Sequence, residues 1–281
     1  MCQPGRMSNR PFRFGVSLFN VGSRQEWQDR ARAVEDAGFD VLHVVDHLGC
    51  PAPFPALVAA AAATTRLRVG TYVLNTGVHS PAYLARDVAD VHRLTDGRLE
   101  LGLGAGYIEA EFEAAGVPFG TGGERVRRLA RTLAGTLALL ADEPDKPVPP
   151  IMIGGAGDRV LRLAGREADI VSFPPETAGS EEVLAERVQL VREAAGDRDV
   201  EFNLLLVAVG RTRDELAFGR IRGATGVADD EKAVHLPCVL VGSPSEMAAR
   251  LRDLRERFGI SYFSVFEPDM AVFAEVIEQL R

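Results

Sequence analysis

Residues 80–104, SPAYLARDVADVHRLTDGRLELGLG, contain a helix, a turn and a strand in direct succession. Ser80 and Pro81 are typical of the N-cap and the first turn of a helix. Apolar residues then recur at the spacing that gives a helix one buried face: Leu84, Val88, Val91 and Leu94. Asp96-Gly97 turns the chain into an apolar strand over residues 98–104. The stretch therefore predicts one helix-strand unit of an α/β protein.

The same unit recurs along the chain from residue 12 onward. Short apolar or β-branched runs, separated by segments of helical spacing, lie near residues 12–19, 40–46, 67–74, 98–104, 150–154, 168–173, 201–208 and 260–266. This alternation predicts a parallel barrel surrounded by helices. Longer connections, residues 107–149 and 210–242, follow strands 4 and 7, at the face where such barrels bind ligands. We therefore predict an α/β fold, a single (β/α)8 barrel over residues 12–281, with residues 1–11 as a disordered extension.

Composition and charge favour a small-molecule partner. The 281 residues are 46% hydrophobic and 26% charged, with a net charge of −8, which is typical of a globular protein. This net negative charge disfavours nucleic acid or an anionic membrane as the main partner, because either would require a concentrated basic surface. Three scattered cysteines and a polar N-terminal segment predict a reducing, cytoplasmic location, with no disulfide framework and no metal site. No stretch has the roughly 20 apolar residues that a membrane span needs.

Residues 154–159, Gly-Gly-Ala-Gly-Asp-Arg, join the fifth predicted strand to a helix and are the best candidate for an anion site. Backbone amides at a helix N-terminus can bind phosphate when glycines leave them accessible. The alternative is that these glycines only make a tight turn. A dinucleotide-binding fingerprint is disfavoured, because the next strand ends in Pro174-Pro175 rather than in an acidic residue that would hold a ribose. A second glycine cluster, residues 102–106, leads into an irregular insertion instead.

Asp46-His47 ends the second predicted strand, at the expected ligand-binding face. A histidine there can transfer protons near neutral pH, and the adjacent carboxylate can orient it or contact a ligand. A structural polar pair is the alternative. Asn75-Thr76-Gly77, after the third strand, is by itself a plain turn. The chain contains no nucleophile elbow, HExxH motif or Walker sequence, so a hydrolase is not supported.

Several ordered motifs together resemble the luciferase-like monooxygenase family. They are residues 66–75, 80–86 and 94–107, Asp46-His47, and residues 149–155 and 242–246. The resemblance implies a TIM barrel that binds a flavin or a deazaflavin at its mouth, and this short chain looks most like the branch that uses coenzyme F420. It also implies a homodimer, for which the alanine-rich helix over residues 56–65 offers small side chains that permit close packing.

The resemblance implies cofactor contacts in three places. The ring would lie against Asp46, Asn75 and a bulge at Tyr72-Val73 that contains a non-proline cis peptide. Small residues after the fourth strand would let the backbone approach the cofactor: Gly104, Ala105 and Gly106. The phosphate would bind at Gly154, Gly155, Ala156, Gly157, Asp158 and Arg159.

The predicted reaction is hydride transfer between C5 of F420 and an unidentified small organic substrate, with His47 donating or accepting the coupled proton. Tyr107 stands where the sugar-phosphate dehydrogenases of the F420 branch carry a glutamate, which puts glucose 6-phosphate oxidation in doubt. The next acid, Glu109, is two residues further on. Substrate specificity is expected in residues 107–119 and 210–236.

Two other functions are open at this point. One is an FMN-dependent monooxygenase supplied with reduced flavin by a partner reductase, since a deazaflavin does not readily activate oxygen. The other is a barrel that binds a flavin-like ligand without turnover. An F420 enzyme would likewise need a second enzyme, a reductase or a dehydrogenase, to supply its redox cofactor.

Overall fold

The computed structural model describes residues 10–142 and 148–281. Its strands are β1 (Arg13–Leu18), β2 (Val41–Val44), β3 (Arg68–Thr71), β4 (Leu74–Asn75), β5 (Leu99–Gly104), β6 (Ile151–Gly154), β7 (Ile170–Phe173), β8 (Glu201–Leu205), β9 (Ala208–Gly210), β10 (Val239–Val241) and β11 (Ile260–Phe266). All except β9 and β10 form one parallel sheet, which closes into an eight-stranded barrel where β3 pairs with β5. The predicted TIM-barrel fold is confirmed. The extension predicted over residues 1–11 lies outside the described residues, apart from Arg10 and Pro11.

The helices pack around this barrel. They are α1 (Arg24–Asp36), α2 (Pro53–Ala61), α3 (Pro81–Leu94), α4 (Glu109–Ala114), α5 (Gly122–Ala141), α6 (Asp158–Glu167), α7 (Glu181–Ala195), α8 (Phe218–Thr225), α9 (Asp230–Ala233), α10 (Pro244–Phe258) and α11 (Met270–Glu278). Within the described part of the chain, none of them is long and apolar enough to span a membrane.

Capping residues set several of the helix ends. The predicted capping box of α10 is present, with Ser243 and Glu246 bonded reciprocally, and this satisfies amides that the first turn cannot. Gly38, at φ +83°, follows the end of α1 in the left-handed conformation that favours glycine. Ser80 takes the N-cap position of α3 as predicted, but its side chain makes no capping hydrogen bond. Leu84, Val88 and Val91 are buried as predicted, whereas Leu94, at the last residue of α3, is exposed and does not belong to the buried face.

The buried core fills the barrel and the layer between the barrel and its helices. Helix α1 turns Trp27, Ala31 and Val34 inward, as its spacing predicts. Helix α2 buries Ala56 and Ala60 in the protein's own core, so part of the small-residue helix noted above already packs within the chain. Homodimer formation stays a prediction.

The two predicted insertions follow the fourth and seventh barrel strands. The first carries α4 and α5 between β5 and β6. The second, between β8 and α10, carries α8 and α9, together with a small parallel pair of strands, β9 and β10. The sequence did not indicate this pair, because strands of three residues give too short a pattern to distinguish from a loop. Both insertions place chain over the carboxyl ends of the barrel strands.

Candidate active site

A cavity of about 1040 Å³ opens at the carboxyl ends of the barrel strands. Every residue that the sequence analysis assigned to a site lines it: Asp46, His47, Tyr72, Val73, Asn75, Gly104, Ala105, Gly106, Tyr107, Gly154, Gly155, Ala156, Gly157, Asp158 and Arg159. These residues come from loops or strand ends that are far apart in sequence. The barrel brings them together because the carboxyl ends of parallel strands meet at one rim.

The third barrel strand is interrupted between β3 and β4 by a cis peptide bond at Tyr72-Val73, as predicted. The glycines opposite it make room for this bulge. A Cβ on Gly104 would lie 2.6 Å from Val73 Cγ2, and one on Gly106 would overlap the Asn75 side chain. The space that these glycines leave is thus occupied by the bulge and by Asn75, and their backbone lines the cavity beside them.

The glycine cradle, residues 154–159, leads from β6 into α6. Gly157 is the N-cap of α6, with φ −79° and ψ 150°, and a Cβ built on it meets no atom within 4 Å. The amides of Val160 and Leu161 bond to the Gly157 carbonyl, whereas amides at the very start of a helix have no acceptor inside it. The Gly155 amide is bonded to the Ser172 carbonyl at 3.5 Å, so the donors that suit a phosphate are the amides at the start of α6, beside the open space at Gly157.

The charges beside the cradle suit an anion. The Arg159 guanidinium lies against Gly123, at the start of α5, and lines the cavity. The Asp158 carboxylate is paired with Arg187 of α7, which offsets its negative charge. Arg125 of α5 also lines the cavity and donates to the carbonyl oxygens of Gly106 and Gly120 at 3.0 and 2.8 Å.

His47 is held between a carboxylate and a phenol. Its Nδ1 lies 2.9 Å from Glu111 Oε1, and the same oxygen accepts the Leu48 amide at 3.1 Å. On the other side, the Tyr107 hydroxyl lies 3.3 Å from His47 Nε2. Because an ionised carboxylate can only accept a hydrogen bond, Glu111 favours the His47 tautomer that carries its proton on Nδ1. The lone pair on Nε2 is then available on the Tyr107 side.

The hydrogen bonds that the structure gives Asp46 go to residues other than His47. Its Oδ2 accepts the Asn75 amide at 2.9 Å and lies 3.3 Å from His79 Nε2. Burial acts to raise the pKa of the Asp46 carboxyl, but the His79 and Asn75 hydrogen bonds outweigh burial and hold that pKa below its ordinary value. Asp46 is therefore an anion that ties the end of β2 to β4.

A buried polar network lies under the bulge. The Tyr72 hydroxyl is 2.8 Å from Ser172 Oγ and donates to Asn203 Oδ1 at 2.8 Å. Its ring stacks on His43 at 4.4 Å between centroids, and His43 Nε2 lies 2.8 Å from the Tyr262 hydroxyl. Burial raises the pKa of Tyr72 to about 12, so its phenol is neutral and available as a hydrogen-bond donor.

Sequence reasoning missed Glu111, His79, Arg125 and Arg220, all of which take part in hydrogen bonds in or beside the cavity. It considered Glu109 as the nearest acid instead. In the structure Glu109 is exposed, and helix α4 directs Glu111 inward beside the buried Phe112. The available sequence signal was the apolar Phe112 within a helical stretch. A helix of six residues is too short for its spacing to predict which side chains face inward.

Comparison with known proteins identifies a matching family and several relatives. Residues 11–218 match the family model described as luciferase-like monooxygenase. The chain is 36% identical over 164 residues to an F420-dependent glucose-6-phosphate dehydrogenase of Beutenbergia cavernae, covering 48% of each chain. It is 34% identical over 183 residues to a phthiodiolone/phenolphthiodiolone dimycocerosates ketoreductase of Mycobacterium sp. strain JLS, covering 57% of this chain and 48% of that one.

The chain thus spans about half the length of these curated relatives. A solved structure, the coenzyme F420-dependent tetrahydromethanopterin reductase from Methanopyrus kandleri, superimposes with a TM-score of 0.78. The match covers 97% of this chain and 100% of that one at 18% sequence identity. At this identity the likeness shows the shared barrel fold.

Proposed function

Because the chain belongs to the luciferase-like monooxygenase family, we propose that it is an oxidoreductase that uses the deazaflavin coenzyme F420. The sequence relatives support F420 over FMN, because one of them is named as an F420-dependent glucose-6-phosphate dehydrogenase. The observation that carries the proposal is the position of the glycine cradle. It opens into the same cavity as His47, so a phosphate-bearing cofactor and a proton donor can share one site.

The residues present fit such a cofactor. The amides at the start of α6, with Arg159 beside them, would hold its phosphate. The bulge at Tyr72-Val73 and the Asn75 side chain would support its ring from the β4 side of the cavity. When bound, F420 supplies the carbon that gives or takes a hydride.

His47 handles the accompanying proton. With Nδ1 bonded to Glu111, the neutral imidazole presents Nε2 to the cavity as a base for a substrate hydroxyl, and the imidazolium presents the same atom as an acid. The Glu111 carboxylate stabilises the imidazolium and fixes the ring, as a buried acid does for the histidine of a catalytic triad. Burial, Glu176 and Glu111 all raise the pKa of Tyr107, so its hydroxyl stays protonated and can donate to the same substrate oxygen.

Anaerobic titration with F420 and, in parallel, with FMN tests the proposal. Binding is followed by the change in cofactor absorbance and gives a dissociation constant for each. The proposal predicts saturable F420 binding that is at least tenfold tighter than FMN binding. Tighter binding of FMN would favour the flavin-dependent monooxygenase, and no binding of either cofactor would reject the cofactor site.

A further inference from the structure

The rim of the cavity has two chemically different halves, which meet at Asp46 and His47 after β2. Strands β4, β5 and β6 carry the bulge, the glycines and the glycine cradle described above. The other half is formed by β2, β1, β11 and β8, which are neighbours in the sheet in that order. Their carboxyl ends contribute apolar side chains to the cavity, here called the apolar wall: Val45, Phe19, Phe266 and Leu205.

The apolar wall is accessible from the cavity. Phe19, Leu205 and Phe266 are half-buried, whereas the residues that precede them on their strands are fully buried. Phe19 and Phe266 pack together with ring centroids 5.6 Å apart. Since the cradle and the bulge lie across the cavity, this wall is left for the substrate.

The cations that line the cavity do not serve this wall. Arg159 belongs to the glycine cradle, and Arg125 of α5 donates to the carbonyl oxygens of Gly106 and Gly120. Arg220 of α8 lies 5.3 Å above the Phe266 ring, but it forms an ion pair with Asp269 and donates Nε to the Val207 carbonyl. Its positive charge is therefore already compensated.

Carboxylates surround the place where a substrate oxygen would sit. Glu111 contacts His47 directly, Asp46 lies at the end of β2, and Glu176 also lines the cavity. Burial and, after it, the nearby negative charges of Glu176 and Glu111 raise the pKa of the Tyr107 phenol. An anionic substrate would meet repulsion here and, among residues 10–142 and 148–281, no unpaired cation on the apolar wall.

We propose that the substrate is an uncharged, mainly apolar alcohol or ketone and not a sugar phosphate. The proposal rests on the function proposed above. In the oxidation direction the substrate C–H bond breaks and its electron pair moves with the hydrogen to oxidised F420, while the O–H proton moves to His47 Nε2, which leaves a ketone. Reduction of the ketone is the reverse. The carbon skeleton packs on Phe19, Leu205 and Phe266.

The test uses protein already loaded with F420, so that failure to bind F420 rejects the proposed function and not this inference. Three probes are compared: 2-octanol, 7-hydroxyoctanoate, which adds a carboxylate to the far end of a similar skeleton, and glucose 6-phosphate. Binding is read from the change in cofactor fluorescence, and reduction of F420 from its absorbance. We expect 2-octanol to bind at least tenfold more tightly than either anion. Equal or tighter binding of an anion, or no binding of 2-octanol, overturns the inference.

A charge placed on the apolar wall provides a second arm. Leu205→Lys should weaken 2-octanol binding at least tenfold and strengthen 7-hydroxyoctanoate binding. Leu94→Lys, the same change at a position 64% exposed on α3 outside the cavity, should leave both affinities as they are. If Leu205→Lys does not fold, Phe19→Lys introduces the charge from the end of β1. An unchanged preference in a folded, F420-binding wall variant contradicts the inference.

Discussion

The orientation of the His47 ring depends on the carboxylate of Glu111, which is not a sequence neighbour of His47. The position of His47 could be predicted, because a residue that follows a barrel strand must lie at the ligand-binding rim. Its partner could not be predicted, because Glu111 reaches Nδ1 only through the packing of α4, which is 64 residues away along the chain. Asp46, the obvious neighbour, bonds to Asn75 and lies next to His79 instead.

The role of His47 leads to a kinetic prediction. His47→Ala should lower kcat about 100- to 10,000-fold, the range typical of a general acid or base. F420 affinity should change less than threefold, since the cradle contacts are untouched. Steady-state kinetics on an identified substrate, together with anaerobic F420 titration, measure both quantities. A near-normal kcat would show that His47 lines the cavity but does not transfer the proton.

Glu111 should act through His47 and not through the cofactor. Glu111→Gln keeps an oxygen that can accept from Nδ1 but removes the charge that stabilises the imidazolium, so kcat should fall about 10- to 100-fold. F420 affinity should stay unchanged. Glu109→Gln is the matched control, because Glu109 is exposed on the same short helix; equal effects of the two substitutions would contradict the assignment.

At the scale of elements, the interrupted third strand depends on glycines in β5. A Cβ on Gly102 would collide with the Thr71 carbonyl oxygen, and this carbonyl is backbone that cannot move aside without disturbing β3. Gly102→Ala should therefore lower the free energy of unfolding by about 1–3 kcal/mol, as measured by urea denaturation. Gly179→Ala is the control, since a Cβ there meets no atom within 4 Å. Equal stability of the two variants would contradict this explanation.

The elements themselves were largely predictable from pattern. Strands such as β1 and β11 are short runs in which apolar residues alternate or mix with glycine and serine, and nearly all of their residues are buried in the barrel. The small pair β9 and β10 was missed, and so was the inward turn of α4. Both are short, and both are fixed by packing against the barrel and not by local periodicity.

At the scale of the whole molecule, a closed barrel brings the carboxyl ends of its strands together at one rim. The cavity at that rim could therefore be predicted once the barrel was. The floor of the cavity was not predictable in the same way. Tyr72, Ser172 and Asn203 lie on three different segments of the chain and become a network only in the closed barrel. A sequence pattern identifies such residues as buried but not as partners.

The barrel interior also predicts how stability depends on pH. Burial, with a smaller contribution from Arg13, lowers the pKa of His43 from 6.5 to about 3. The unfolded chain therefore binds one more proton between these pH values, and the free energy of unfolding falls as the pH drops through that interval, by about 1.4 kcal/mol per pH unit from this group. Urea denaturation at pH 4, 5 and 6 should show a shallower pH dependence for His43→Gln than for the wild type. Parallel curves would contradict the assignment.

The central claim is that the cavity binds F420 with its phosphate on the glycine cradle. The most direct test is anaerobic F420 titration of Gly157→Asp against Gly157→Asn. Both side chains suit the N-cap of α6 and enter space free of other atoms within 4 Å of the Cβ, so both variants should fold. The account predicts that the aspartate weakens F420 binding about tenfold more than the isosteric asparagine, because only it places a negative charge beside the phosphate. Equal F420 affinity in the two folded variants would contradict the claim.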